Sequence, residues 1–134
     1  MCLSHDFVAL QEASRDGRVD RVRQLLDRGV DQNTPPGMPG GWSPLMYAAR
    51  HGHEQIVRLL IERGADLNRE CGDGFTAITL AAKRRAWKIV ELLALHGADV
   101  HHVDANGISA LGAAERARNV ALVELLRGRG QRPA

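Results

Sequence analysis

The sequence has few cysteines, no signal-peptide pattern in its first residues and no hydrophobic segment of membrane-spanning length. Its two cysteines, Cys2 and Cys71, follow no recurring spacing, which argues against a disulfide framework and for a reducing compartment. Residues 1–6 lack the basic start and the apolar run of a signal peptide. Because no stretch approaches the about 20 apolar residues of a transmembrane helix, we expect a cytoplasmic protein.

Catalytic signatures are missing as well. The chain contains no phosphate-binding loop, no nucleophile elbow and no paired acid and base typical of an active site. Histidines occur in two pairs, His51 with His53 and His101 with His102, but no cysteine or carboxylate completes a ligand set at zinc spacing. We therefore predict that the protein is not an enzyme and that it binds no cofactor and no metal.

Charge of one sign is not in large excess. Lys and Arg together number 18, and Asp and Glu number 16, which gives a formal net charge of +2. General nucleic-acid binding normally rests on a strong basic footprint. The charge balance therefore argues against a nucleic-acid partner, although Lys83–Arg85 and the tail from Arg127 are locally basic.

What the sequence does contain is a pattern that repeats with a period of about 33 residues. Gly41, Gly74 and Gly107 recur at equal steps, and each is followed two positions later by Ser or Thr. Gly64 and Gly97 keep the same interval. A fixed period of this length is typical of a solenoid, in which each unit buries its apolar faces against its neighbours. We expect such a chain to present a surface.

The repeated segments also carry helix signals. Ser43, Thr76 and Ser109 are each placed where a hydroxyl can cap the free N–H groups of a helix start. The alanine pairs Ala48–Ala49 and Ala81–Ala82 predict that neighbouring helices approach closely, because larger side chains would force them apart.

These positions closely resemble the ankyrin repeat. The family pattern G-x-[ST]-P-L-x-x-A-A, followed by two short helices that end in L-L-x-x-x-G-A-D-[VL]-N, reads here as Gly41–Ala49, Leu59–Leu60 and Gly64–Asn68. The resemblance implies an all-α repeat solenoid, with a β-turn, an inner helix, an outer helix and a loop in each repeat. It also implies that inner helices and turn tips line a concave face that binds protein partners.

The resemblance implies that residues 1–134 form a single domain. This domain contains four repeats, at about 5–37, 38–70, 71–103 and 104–134. At the two ends, polar residues replace apolar ones: Arg21 and Gln24 take the places of Ile56 and Leu59, and Glu115 replaces an alanine. Terminal repeats of a solenoid need a polar outer face, so we expect a complete protein that is a monomer. The richness in Ala, Arg, Gly and Leu suggests a bacterial source.

Two features depart from the regular repeat. The step between the first two repeats is longer than the others, which places an insertion at Thr34–Gly41, either a finger with a role or a tolerated surface loop. Arg85 and Arg118 replace the glycine found at Gly52 between paired helices. Because a left-handed turn is more strained for arginine than for glycine, we expect these two turns to differ in shape or to gain a side-chain contact.

The resemblance directs a set of aromatic and basic side chains into the concave groove. The expected partner-binding residues are Trp42 and Phe75 on the turns and Arg50, His51, Lys83, Arg84 and Arg116 along the inner helices. Aromatic residues and arginine dominate the energetics of interfaces, although these side chains could instead shield the turns and form a solvated face. Trp87 is expected on the convex side, in a packing role.

Three functions remain open. The first is an adaptor or scaffold that holds a protein partner on the concave face. The second is a dedicated inhibitor or immunity-type protein that blocks one partner enzyme. The third, a polyanion binder, fits the small net charge least well.

Overall fold

The computed structural model describes residues 3–32, 41–72 and 74–130. These residues form eight helices and no strand, which confirms the predicted all-α repeat solenoid. The helices are α1 Leu3–Asp16, α2 Val19–Asp27, α3 Pro44–His51, α4 Glu54–Glu62, α5 Ala77–Lys83, α6 Trp87–Leu95, α7 Ala110–Arg116 and α8 Val120–Gly130.

The helices stack in two layers. Each odd-numbered helix packs against the even-numbered helix that follows it, and against the odd-numbered helices of the neighbouring pairs. We call α1, α3, α5 and α7 the inner helices, and α2, α4, α6 and α8 the outer helices. The core runs continuously between the layers, where side chains such as Leu45, Leu60, Ile78 and Leu93 are fully buried. Each pair therefore depends on its neighbours for burial.

Hydroxyl caps begin three of the inner helices. The Ser43 hydroxyl accepts a hydrogen bond from the Met46 N–H, and the Ser109 hydroxyl accepts one from the Gly112 N–H. Thr76 is part of a reciprocal capping box, in which the Thr79 hydroxyl oxygen accepts from the Thr76 N–H at 2.8 Å. The predicted capping roles are confirmed.

The turns between paired helices share one left-handed conformation. The backbone φ is 78° at Gly17 and 77° at Gly52, and it is 63° at Arg85 and 57° at Arg118. In each turn the N–H of the next residue donates to a carbonyl in the last turn of the inner helix, as in His53 to Ala48. The expectation that the arginine turns differ in shape is therefore wrong. Tertiary stacking holds both arginines in the conformation that glycine adopts with less strain.

Replacing Arg85 with glycine is expected to raise the free energy of unfolding by about 0.5 kcal/mol. Relief of about 1–2 kcal/mol of left-handed strain exceeds the about 0.5–1 kcal/mol entropic cost of glycine. Urea denaturation measures the change. The control is Arg28→Gly, because Arg28 ends α2 at a φ of −78°, so that this variant carries only the entropic cost and loses stability. Equal losses in both variants would show that Arg85 is unstrained.

The two ends of the stack are polar where the repeat pattern is apolar elsewhere. Arg21 and Gln24 on α2 are exposed, and Glu115 on α7 is exposed, whereas Ile56 on α4 is fully buried. The insertion predicted at Thr34–Gly41 lies outside the described residues except for Gly41. No helix in the described ranges combines the length and apolarity needed to cross a bilayer.

Candidate functional site

Two aromatic residues occupy equivalent positions just before consecutive inner helices. Trp42 lies two residues before α3, and Phe75 lies two residues before α5; both are half-buried. The Trp42 ring centroid is 5.2 Å from that of Tyr47, with the rings tilted by 49°. The Trp42 carbonyl also accepts a hydrogen bond from the Gln11 side chain on α1. Contacts to two inner helices therefore hold Trp42 in place while part of its ring stays accessible.

Phe75 lies beneath a basic side chain. The Lys83 ammonium nitrogen is 5.2 Å from the centroid of the Phe75 ring, within the range of a cation–π interaction, which contributes about 0.5–1 kcal/mol at exposed sites. The predicted site residues Phe75 and Lys83 are thus brought together. The pair combines apolar surface with a positive charge.

A basic residue occupies the last turn of every inner helix: Arg15, Arg50, Lys83 and Arg116. Arg15 pairs with Asp16 at 3.0 Å. We call Arg50, Lys83 and Arg116 the cationic column. All three are exposed, and none has a carboxylate within 4 Å in the part of the chain that the structure describes. The column therefore presents positive charge that the described residues do not neutralise.

Helix-dipole stabilisation accounts for part of this pattern, because a cation near a helix C-terminus is favourable. At the C-terminal ends of the outer helices α4 and α6, the basic groups contact other groups of the protein. Arg63 at the end of α4 pairs with Asp27 at 2.6 Å, and the His96 ring bonds the Leu92 carbonyl within α6. Basic groups at these outer ends are turned back onto the protein, whereas the cationic column is left for solvent or a partner.

Carboxylates are scarce on the inner helices that carry the cationic column. The inner helices α3 and α5 contain no carboxylate, and α7 contains only Glu115, which pairs with Arg127 at 2.6 Å. The outer helices α4 and α6 carry Glu54, Glu62 and Glu91. The positive charge is therefore local to α3 and α5, because the inner helix α1 carries Asp6, Glu12 and Asp16.

His51 lies among basic groups. Burial lowers the pKa of His51 below its usual value, and the charges of Arg50, His53, Arg84 and Arg15 lower it further. The His51 and His53 ring centroids are 6.3 Å apart, and the His53 Nε2 atom lies 2.8 Å from the Arg15 carbonyl oxygen. The predicted residues Arg50 and Arg84 thus lie near the imidazole of a third predicted residue, His51.

The His51 pKa is expected below 6.5 in an NMR titration, and Arg50→Gln is expected to raise it part of the way back. Because the pKa of His51 is lower in the folded chain, the unfolded chain binds a proton at His51 at a higher pH than the folded chain does. The contribution of neutral His51 to stability is therefore fully present above the unfolded pKa. It is lost as the pH falls through the folded pKa. A peptide spanning residues 48–54 supplies the unfolded reference. A His51 pKa at or above that of the peptide would contradict the basic cluster.

A cleft of about 190 Å³ opens between α5 and α7. Its lining includes Lys83, Arg85, Trp87, Asn106, Ile108 and Arg116. The cleft is smaller than the about 300–1,000 Å³ of small-molecule sites, so it suits a single side chain of a larger partner. Trp87 packs against the core, as expected. It begins the outer helix α6, and its side chain also lines this cleft together with Lys83 and Arg116.

A buried carboxylate fixes the turn that forms one wall of the cleft. The Asp104 side chain accepts hydrogen bonds from the N–H groups of Asn106 and Ile108, at 2.8 and 3.1 Å. Ile108 occupies the position of Phe75 one repeat later and therefore continues the row begun by Trp42. Ile108 was not predicted as a binding residue, because only the aromatic side chains at the turn positions were selected. The spacing of 33 residues from Phe75 alone identifies Ile108 as the equivalent residue.

His102 connects two neighbouring turns, and the backbone of His101 stabilises its own turn. The His102 Nε2 atom is 2.8 Å from the Gly74 carbonyl oxygen and 3.5 Å from a carboxylate oxygen of Glu70. The His101 N–H donates to the Asp99 carboxylate at 2.9 Å. Among the described residues, no group of three or more His, Cys, Asp or Glu side chains is arranged to hold a metal ion. The His102 ring therefore links its turn to the preceding one, and the backbone N–H of His101 is bonded within its own turn.

Comparison with known protein families gives two overlapping matches. Residues 4–71 match the family described as ankyrin repeats (3 copies), and residues 60–111 match the family described as ankyrin repeats (many copies). No curated protein matches the chain significantly.

Proposed function

Because the chain belongs to the ankyrin repeat family, whose repeats generally mediate protein–protein interaction, we propose that it is a non-catalytic adaptor or scaffold. Its partner is a protein that docks on the inner helices and the turns before them. We call this surface the binding face, defined by Trp42, Arg50, Phe75, Lys83 and Arg116. The adjoining residues His51 and Arg84 belong to the same face.

The observation that supports this proposal most strongly is the combination of partly exposed aromatic rings with the cationic column. Interfaces are enriched in aromatic residues and arginine, and their strongest contacts cluster around such anchors. By contrast, the exposed large apolar side chains among the residues whose burial is described are Val8, Leu95, Val103 and Val120, which lie far apart in the sequence. Scattered apolar residues are ordinary on protein surfaces.

We further propose that the four helix pairs form one domain and that the chain is a cytoplasmic monomer. The exposed polar residues Arg21 and Gln24 on α2 support the monomer, because an end helix that stacked on a second copy would carry apolar residues there. Light scattering of the isolated chain at micromolar concentration is expected to give the monomer mass. A stable dimer in which Arg21 lies at the contact would contradict this part of the proposal.

Site-specific photo-crosslinking in cells that naturally express the chain tests the proposed function. A benzoylphenylalanine at position 75 is expected to trap one discrete protein, because Phe75 lies within the binding face. The same probe at Leu95, which is 40% exposed at the end of α6, is the control and is expected to trap none. Adducts formed from position 95 and not from position 75 would move the partner to the outer helices.

The trapped protein also separates a scaffold from an inhibitor. If it is an enzyme whose turnover falls when the chain is added, the protein is a dedicated inhibitor. Unchanged activity of the bound partner supports an adaptor or scaffold. The binding face is the same in both cases.

A further inference from the structure

The cationic column has a regular step. Arg50, Lys83 and Arg116 occupy the last turns of three consecutive inner helices that pack against one another. Packed helices lie about 8–10 Å apart. Successive positive charges of the column therefore recur at about that distance.

The cationic column also calls for an acidic ligand. The nearby carboxylates are already engaged: Asp16 pairs with Arg15 and Glu115 with Arg127, and Asp104 in the cleft accepts hydrogen bonds from backbone N–H groups of its own turn. The cations of the column have no such partner within the described ranges, and the inner helices α3 and α5 contribute no negative charge. A segment with carboxylates would complement this surface in sign.

Only some backbone conformations place acidic side chains at the required step. A polyproline II helix has three residues per turn and a rise of about 3.1 Å, so every third side chain shares a face at about 9 Å intervals. In a β-strand, side chains on the same face recur at about 6.8 Å. This interval is shorter than the step of the column, so a second carboxylate on a strand no longer faces the next cation. The spacing of the inner helices thus favours a polyproline II segment over a strand.

The aromatic row, by which we mean Trp42, Tyr47 and Phe75, favours the same conformation. Trp42 and Phe75 occupy equivalent positions in consecutive repeats, and Tyr47 adds a third ring beside Trp42. Proline-rich segments in the polyproline II conformation dock in aromatic-lined grooves, where their preformed shape lowers the entropic cost of binding. An α-helix with an acidic residue at every seventh position also steps by about 10.5 Å, but it lacks this match to the aromatic row.

The cleft between α5 and α7 adds a place for an intervening side chain. Lys83 and Arg116 stand at this cleft, and Trp87 and Ile108 give it apolar surface. A proline or aliphatic residue between two carboxylates of the ligand can enter there while the carboxylates meet the two cations.

We propose that the partner presents an extended acidic segment in the polyproline II conformation, with a carboxylate at every third residue, that crosses the inner helices. Each carboxylate pairs with one cation of the column, and residues between them contact the aromatic row. This inference rests on the proposed function and specifies the chemistry of its partner.

Fluorescence anisotropy with labelled synthetic peptides tests the proposal. The main probe is a peptide of four Pro-Pro-Glu triplets. Its matched control has the same composition with all glutamates clustered at one end, and a second control has four Pro-Pro-Lys triplets. An alanine-based helix with glutamate at every seventh position and an oligothymidylate of equal charge complete the set. Each probe is titrated with the wild type and with the variants Lys83→Glu and Lys88→Glu.

The triplet peptide is expected to bind at least about tenfold more tightly than the clustered control, and the lysine peptide is expected not to bind. Lys83→Glu should weaken binding at least about tenfold, because it places a negative charge in the middle of the column. Lys88→Glu, which makes the same charge change on the outer helix α6, should change the affinity less than about twofold. Circular dichroism of both variants verifies their fold.

Several results would overturn the proposal. They are equal binding of the triplet and clustered peptides, equal effects of the two charge reversals, absence of binding by the triplet peptide, and tighter binding of the helical peptide or the oligothymidylate. If any of these occurs while a probe at position 75 still traps a protein, the acidic segment is wrong and the proposed function stands. If crosslinking also fails at position 75, the binding face itself is wrong.

Discussion

Replacing Trp42 or Phe75 with alanine is expected to weaken binding of the crosslinked partner by about 2 kcal/mol or more, as for a buried aromatic anchor. Trp42→Ala removes the ring that packs 5.2 Å from Tyr47. Phe75→Ala removes the ring beneath Lys83. The backbone hydrogen bonds at both positions remain, since they use the carbonyl groups of Trp42 and Phe75. The fold should therefore survive.

Isothermal titration calorimetry with the purified partner measures this loss, and circular dichroism checks the fold of each variant. Leu95→Ala is the control, because it truncates a partly exposed apolar side chain at the end of the outer helix α6. The control should bind like the wild type. Normal affinity of both aromatic variants together with a loss in the control would place the partner on the outer helices.

Ala81→Leu is expected to lower the free energy of unfolding by about 1–3 kcal/mol through overpacking. Ala81 is fully buried on α5, which packs against both α3 and α7. A leucine there would push neighbouring inner helices apart, and the disturbance would extend to both interfaces. Urea denaturation followed by circular dichroism measures the change in midpoint.

The matched control for this variant is Ala121→Leu on α8. Ala121 is exposed, so the same chemical change meets no neighbouring helix and should alter stability by less than about 0.5 kcal/mol. An unchanged midpoint for Ala81→Leu, or an equal loss in both variants, would contradict the stacking of inner helices through small residues.

The repeat period made most of the fold predictable. Gly41, Gly74 and Gly107 set the register, and the caps at Ser43, Thr76 and Ser109 began helices where expected. Local rules were sufficient at these positions because the same short-range hydrogen bonds recur in each unit. The full burial of Ala48 and Ala81 follows from the same register.

The arginine turns show where local reasoning was insufficient. Arginine disfavours a positive φ in isolation, and this preference predicted either an altered turn at Arg85 and Arg118 or a compensating side-chain contact. The observed turns match those at Gly17 and Gly52. Stacking of whole helix pairs fixes the geometry of the turn, and the cost of one strained residue is smaller than the packing that a changed turn would disrupt.

The candidate site was only partly accessible from the sequence. The repeat pattern indicated Trp42, Phe75 and Lys83, and the structure brings Phe75 and Lys83 into contact. The repeat pattern could not settle the direction of the Tyr47 side chain, which depends on a ring contact with Trp42 across the helix start. Trp87 was expected in a packing role, and its position beside Lys83 and Arg116 in the cleft was not predicted, because helix membership alone does not show which neighbouring surfaces a large side chain reaches.

Amide chemical-shift mapping of the ¹⁵N-labelled chain, titrated with the crosslinked partner, shows directly whether the partner docks on the inner helices. The largest perturbations are expected at Trp42, Phe75 and Lys83 and along α3, α5 and α7. Perturbations confined to the outer helices α2, α4 and α6, with the inner helices unchanged, would contradict docking on the inner helices.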